Sequence, residues 1–455
     1  MHYYPQHTND GETMFDQHGR NAGVTKAVAK QKIQQPTDTL RKVVHKVTFG
    51  DSDAAVFCTK FSGDDKYLAC GYGDGVTRIY NIDTGKLAFT LMGSGGLEEM
   101  PVAAIAWRPQ TATMKTANVL VTAQADGTLK HWHATSGKCL HQTCEDPENH
   151  LYTLDFTADG TLLAVAGRDK KIWVYDETTK SLAFSMKERG QLPGHSNRIF
   201  CVKFNPKDQN MLASAGWDNT VCINDLRYRG PVHSIWGPHV CGDAIDFRSD
   251  GYTMVTGSYR AENAIEVWDL RMFKRTKVFN WDGSGNAQLV TQNDGEDDGG
   301  VSETGQPATE TENEPTEQDE DEIDENEEER KVPANEYESV TTYAATSQVP
   351  KFTGKRGKRA FAPQLYTTFF NKGEDLLFAG GAGKNEMRVF DWNTGNIVAL
   401  IGNLNKSVLC GAISKNTKFC FGSADSRVRI FDIQSSQSTH SVLGGGGYSN
   451  RSYQL

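Results

Sequence analysis

The sequence predicts an all-β fold made from seven copies of one strand-turn-strand unit. Three observations carry this prediction. Short apolar runs alternate with turn residues along most of the chain. The same closing pattern recurs, an alternating strand ending in an aromatic residue and usually an Asp. Glycine is abundant, at 44 of 455 residues. A fold with about 28 short strands needs many tight turns, and glycine supplies backbone conformations that other residues resist.

The units follow in order. Tyr67 to Ile82 read YLACGYGDGVTRIYNI, and Leu120 to His133 read LVTAQADGTLKHWH. Leu162 to Asp176 read LLAVAGRDKKIWVYD, and Leu212 to Leu226 read LASAGWDNTVCINDL. Met254 to Leu270 close on IEVWDL, Leu377 to Trp392 close on MRVFDW, and Phe419 to Ile433 read FCFGSADSRVRIFDI. The closing positions are Tyr80, Trp132, Tyr175, Asn224, Trp268, Phe390 and Phe431. Most steps between them are 41 to 52 residues, and the step from Trp268 to Phe390 is 122. A constant period of this length marks an array whose units bury their apolar faces against one another. Removing one period from the long step leaves an insertion of roughly 75 residues.

These units resemble WD40 repeats, and the resemblance covers roughly residues 39 to 433. The fourth unit carries it best, with Gly194-His195 at its opening, Asn205-Pro206 after its first strand and Asp218 in its turn. Trp268-Asp269 closes the fifth. The resemblance implies a seven-bladed β-propeller whose last blade is completed by an N-terminal strand. The seventh unit stops at Asp432-Ile433 after three strands, and TLRKVVHKVTF (Thr39 to Phe49) alternates like a strand before the first unit. Residues 40 to 48 fit the vacancy, which removes exposed sheet edges that invite aggregation.

The expected divisions are therefore a flexible arm (1–38), the closing strand with blades one to five (39–282), an insertion (283–360), blades six and seven (361–433) and a Gly/Ser-rich mobile tail (434–455). Asp294 to Arg330 holds 18 acidic residues and one Arg, a charge of −17, against −10 for the whole chain. Everything else thus sums to about +7, a mildly basic propeller with an acidic loop. So much charge with so few apolar residues predicts disorder. The loop reads either as a solvated linker or as an electrostatic lure or self-masking arm. A basic stretch, Lys351 to Arg359, follows it. The family's connection rules place the insertion on the top face, with the turn aspartates, and the two chain ends at the bottom.

Nine cysteines are scattered mostly through strand patterns, an odd count that predicts free thiols in a reducing compartment. The polar start MHYYPQHTNDGET and the lack of a bilayer-length apolar run predict a soluble, intracellular, cytoplasmic protein, with nucleus or cilium and cytoskeleton as alternatives.

Candidate binding residues come from aligning the first strands on Phe61, Trp107, Phe156, Phe204, Phe247, Phe370 and Ile413. Four residues earlier stand Phe57, Ala103, Tyr152, Phe200, Asp243, Tyr366 and Leu409. The resemblance puts this position at the top mouth of the central channel. There Phe57, Tyr152, Phe200 and Tyr366 would form an aromatic collar, with Asp243 as its charged member, to clamp a basic anchor. The plainer alternative is that these rings fill space between blades. Arg168 and Trp217 precede turn aspartates of neighbouring blades and are of the types enriched at binding hot spots. Tyr72, Tyr259 and Arg260 are weaker candidates. The turn residues Asp74, Asp126, Asp169, Asp218 and Asp425 read as structural, and so do His195 and Ser214 with Asp218. Asn224 replaces the Trp that would complete that polar set, and Asn263 and Asn385 occupy the turns of blades five and six.

Catalytic chemistry finds little support. Gly380 to Asn385 suggests a phosphate loop, yet Phe378 stands where its first Gly must lie and Asn385 where Ser or Thr would bind magnesium. Cys139, His141 and Cys144, with His131 and His133, hint at metal, but no second ligand pair of suitable spacing follows. No Gly-x-Ser-x-Gly elbow is present. The expectation is a non-enzyme with no cofactor or metal, a scaffold that binds other proteins on its top face within a multiprotein complex. A structural subunit of a ciliary, cytoskeletal or ribosome-assembly particle and a histone-tail reader are the alternatives. Nucleic acid is disfavoured, because the basic stretches lack interleaved aromatics and the acidic loop repels phosphates. No membrane partner is expected.

Overall fold

The computed structural model describes residues 41–50, 52–93, 100–111, 118–187, 192–281, 288–289, 340–342 and 363–435. The arm, most of the insertion and nearly all of the tail lie outside the described residues, as does the expectation of disorder there. Every regular element among the described residues is a strand.

The strands form seven antiparallel sheets. Their inner strands are Val56–Phe61, Val102–Trp107, Leu151–Phe156, Ile199–Phe204, Ile245–Phe247, Gln364–Phe370 and Val408–Ile413. These touch in cyclic order, and the last touches the first. Seven apolar clusters fill the seven gaps between neighbouring sheets. One holds Val56 and Leu68 of the first sheet against Cys410, Cys420 and Ile430 of the last. Each fully buried aliphatic side chain contributes about 1.5–3 kcal/mol, so the ring is held by the faces between sheets.

The seventh sheet takes its outer strand from the N-terminal side, as expected. Arg41–Phe49 pairs antiparallel with Val428–Ser435, from Arg41 opposite Ser435 to Phe49 opposite Val428. The pairing skips Lys46, opposite the step from Phe431 to Ile430. The first sheet has the same slip where its outer strand passes Tyr80. Comparable slips lie beside Trp132, Tyr175, Asn224, Trp268 and Phe390. The closing strand therefore reproduces the geometry of an ordinary fourth strand down to its bulge.

The insertion falls between the fifth and sixth sheets, numbered from Val56–Phe61. Its flanks, after Lys274–Phe279 and before Gln364–Phe370, lie at the end of the sheets that carries the turn aspartates. Two short segments of the inserted stretch pair with the propeller. Gln288–Leu289 adds to the fifth sheet and Val340–Thr342 to the sixth, each on the outer edge. Both edges otherwise present unpaired backbone groups, which is why a passing segment settles there.

Candidate functional site

The collar is built from bulges. In six sheets the pairing of the first two strands passes over one inner-strand residue: Phe57, Ala103, Tyr152, Phe200, Tyr366 or Leu409. A bulge leaves one residue outside the ladder and re-aims its side chain. Here it turns each of these residues toward the channel mouth. The second strand must then approach closely. At Gly216 an added methyl group would collide with the carbonyl of Arg198, and at Gly381 with that of Gln364. Asp243 holds the seventh position, just ahead of the shortened strand Ile245–Phe247.

All seven collar positions line one cavity of about 350 Å³. Phe57 is 41% exposed at its rim. On the far side of Asp243 a second cavity of about 380 Å³ is lined by Lys203, Asp246, Phe370 and Asn371. Lys60 and Asp243 line both. The Lys60 ammonium reaches across the channel to Asp243 Oδ2 at 2.7 Å, and Lys203 meets Asp243 Oδ1 at 3.0 Å. Burial alone would raise the Asp243 pKa, but the Lys203 and Lys60 ammoniums hold it far below the usual carboxylate range. Burial alone would also lower the Lys203 pKa, and Asp243 and Asp155 drive it well above the ordinary value instead. Deeper in the wall, Asp155 accepts the Phe204 N–H at 2.7 Å and Asp246 the Phe370 N–H at 2.9 Å, tying neighbouring sheets together.

This arrangement corrects the role given to Asp243. Its charge is already shared by two lysines rather than held free for a basic anchor, with a third of the side chain still exposed. A second cation near Lys60 would meet that like charge beside the Asp243 carboxylate, so the pair offers it little net attraction.

The aromatic residues come together further than expected. Tyr152 stacks on Phe200 with ring centres 4.6 Å apart, and Phe200 lies 5.0 Å from Trp217. The run continues to His239 at 6.4 Å, Tyr259 at a further 6.1 Å and Tyr366 at a further 6.5 Å. It spans sheets three to six along one side of the mouth. Trp217 is 39% exposed, and the guanidinium over its ring belongs to Arg198, at 5.3 Å. Arg168 is exposed on the same face. Tyr72 is fully buried and bonds Tyr80 through its hydroxyl, so it is not a surface contact. Arg260 is held by Glu266 and by the Gly237 and Asn263 carbonyls.

The turn aspartates sit in structural settings. Asp74 accepts from the Val76 N–H and Arg78, Asp126 from Thr128, Asp169 from the Lys171 N–H and Trp173, and Asp425 from the Arg427 N–H and Arg429. In the fourth sheet His195 Nδ1 lies 2.7 Å from Asp218, and His195 Nε2 lies 2.8 Å from Ser214 Oγ. Asn224 donates to the same Ser214 oxygen at 2.9 Å, so it completes the chain of bonds where a Trp was expected. Asn263 and Asn385 follow the Asp position, which Glu262 and Lys384 occupy. His131 is buried against Glu177 at 2.7 Å. Among the described residues, no group of three or more His, Cys, Asp or Glu side chains is placed to hold a metal ion.

Sequence reasoning missed His239 and the Lys60–Asp243–Lys203 bridge. Lys60 and Lys203 do carry a signal, since both stand three residues after a collar position, where Asp155 and Asp246 also fall.

Comparison with known proteins agrees with this geometry. The family model described as WD domain, G-beta repeat matches residues 42–81, 137–176 and 186–225. The first two stretches each start in an outer strand and end in the third strand of the next sheet, an offset that leaves one strand to close the ring. The chain is 26% identical over 163 residues to Protein transport protein SEC31 of Chaetomium globosum, covering 35% of this chain and 12% of that protein. It is 33% identical over 144 residues to Meiotic fizzy-related protein 1 of Schizosaccharomyces pombe, covering 31% of each. It is 23% identical over 169 residues to Cell division cycle 20.1, cofactor of APC complex, of Arabidopsis thaliana, covering 36% of this chain and 34% of that protein. The matches thus span a third or less of each of the first two relatives. With seven sheets in a closed ring and three matched stretches, the chain is a seven-bladed β-propeller that carries WD40 repeats.

Proposed function

We propose that the chain is a non-catalytic platform that binds another protein on the face carrying the collar, as a subunit of a multiprotein complex. The observation that carries this reading is the aromatic run from Tyr152 to Tyr366 beside an open cavity. Rings on a rigid scaffold give large contact area at small entropic cost, and Trp, Tyr and Arg dominate binding energy at interfaces. Arg168, Arg198 and Trp217 widen the footprint. The basic anchor expected from the sequence rested on the ring faces together with Asp243, whose charge two lysines now share. That one relative is a cofactor of the APC complex supports the subunit role. An intracellular location is part of the proposal, supported by nine free thiols.

A second reading is a structural subunit gripped by its sides. It is favoured by Trp236, 71% exposed at the end of an outer strand, and by Met272 at 60%. Affinity purification with mass spectrometry separates the two. Wild type is compared with a Phe200→Ala/Trp217→Ala double variant after both are shown to fold. The platform reading expects loss of one discrete set of partners. Retention of every partner would move the working surface to the sides.

A further inference from the structure

The mouth cavity is bounded by an acceptor engaged on both oxygens and a donor with N–H groups to spare. Both oxygens of Asp243 are engaged, Oδ2 by Lys60 at 2.7 Å and Oδ1 by Lys203 at 3.0 Å and the Cys201 thiol at 3.6 Å. A lysine ammonium carries three N–H donors. Lys60 directs one of them to Asp243, and its side chain remains 31% exposed, much as that of Asp243 remains 33% exposed. Lys60 and Asp243 are the charged side chains lining the cavity, beside Thr59, Thr153 and three thiols, and the wall above them is apolar. An occupant that reaches the floor therefore meets a positive donor whose counter-charge is shared with a second lysine. Outside the acidic stretch Asp294 to Arg330, the chain also carries about +7, so its broader charge balance has the same sign.

We infer that the mouth accepts a carboxylate-tipped side chain of a partner protein, a Glu whose aliphatic stem passes the collar rings and whose carboxylate lands on Lys60. This deepens the platform reading and rests on it. The source is a protein side chain because the donor lies behind a rim of apolar residues. A carboxylate on a slim methylene stem passes that rim, and a phosphodiester flanked by its sugars does not. The geometry also predicts selection against lysine and arginine anchors, the opposite of what the sequence alone suggested.

The test is a random-peptide display selection on the full chain, counter-screened on Phe200→Ala to isolate peptides that use the mouth. The expected result is that Phe200-dependent peptides share an acidic residue. Changing that Glu to Gln in the peptide, or Lys60→Met in the protein, should each weaken binding about tenfold. The two changes together should weaken it little more than either alone, because they remove one interaction. Lys60→Arg should retain binding. If Lys60→Met fails to give a wild-type thermal melt, the peptide series with Lys60→Arg decides. Phe200-dependent peptides sharing Lys or Arg would overturn the inference, as would acidic peptides indifferent to Lys60→Met or to the Glu-to-Gln change. Should wild type select nothing while a variant lacking residues 290–330 selects acidic peptides, the occupant is the chain's own acidic stretch and the assignment to a partner fails. If neither chain yields any Phe200-dependent peptide, the platform reading itself has failed, a result distinct from the wrong anchor.

Discussion

Seven residues that follow the top turns share one backbone conformation. Gly75, Gly127, Lys170, Asn219, Asn263, Asn385 and Ser426 all have positive φ, between 51° and 78°. Glycine takes this region freely and asparagine tolerates it, while a lysine there is strained by about 1–2 kcal/mol. Lys170, exposed at φ 67°, and Ser426 at φ 65° are neither Gly nor Asn, and Lys170 is the bulkier of the two. Lys170→Gly should therefore stabilise the protein by about 0.5–1 kcal/mol, relief of strain minus the added freedom of the unfolded chain. Urea denaturation would read this as a higher midpoint at unchanged slope, and an unmoved or lower midpoint would show that the Lys170 turn is unstrained. At this scale the sequence was partly legible. The collar positions could be read off because they recur at a fixed offset from an apolar residue. The engagement of Asp243 by Lys60 could not, because it joins residues 183 apart across the channel, and no periodicity encodes a side chain's reach.

Within the fourth sheet, His195, Asp218, Ser214 and Asn224 link the turn to the middle strands through bonds of 2.7 to 2.9 Å. His195 and Asp218 are both nearly inaccessible, each with 3% of its side chain exposed. Burial alone would lower the histidine's pKa, yet the bond to Asp218 raises it from 6.5 to about 9. The sign follows from linkage. A raised histidine pKa contributes stability that is fully present below about pH 6.5 and is lost as pH rises through about 9, here roughly 3 kcal/mol. Asp218, whose own pKa is lowered despite burial by the same pairing, adds stability that is lost on acidification. Chemical denaturation from pH 6 to 10 should show wild type weakening across the alkaline window, beyond what other groups contribute. Asp218→Asn should be less stable at pH 6 and nearly flat above it. A wild type as steep as Asp218→Asn would mean that the pair does not fold as an ion pair. The turn was legible from its local residues, and the His-Ser-Asp set followed only from the resemblance of the fourth unit to WD40 repeats, since His195 lies 23 residues from Asp218. The bulges that aim the collar were not, since a bulge is a slip between two strands and leaves no mark in either sequence alone.

At the scale of the whole molecule, one strand decides whether the ring is closed. Without Arg41–Phe49 the strand Val428–Ser435 would show a bare edge, and the cluster between sheets six and seven would lose Val43, which is 2% exposed. In a ring each sheet buries its faces only against its neighbours, so an opening at one sheet reaches the two gaps on either side. Val43→Asp places a carboxylate in that apolar cluster and should cost about 3 kcal/mol or more. A chain beginning at residue 51 should go further, losing cooperative melting and aggregating through the open edge. The decisive measurement is complementation: a synthetic peptide of residues 39–50 added to the shortened chain. Because the register from Arg41 to Phe49 is fixed by the bulge at Lys46, the peptide should restore solubility and a single melt. A peptide with the paired residue Val44 deleted would shift Arg41 to Val43 by one position, turn Val43 away from its cluster and should fail. If the shortened chain melts like wild type with no peptide, the closing strand is an accessory to six self-sufficient sheets and a three-stranded seventh. The ring would then owe its stability to the apolar faces between sheets, with little contribution from the closing strand.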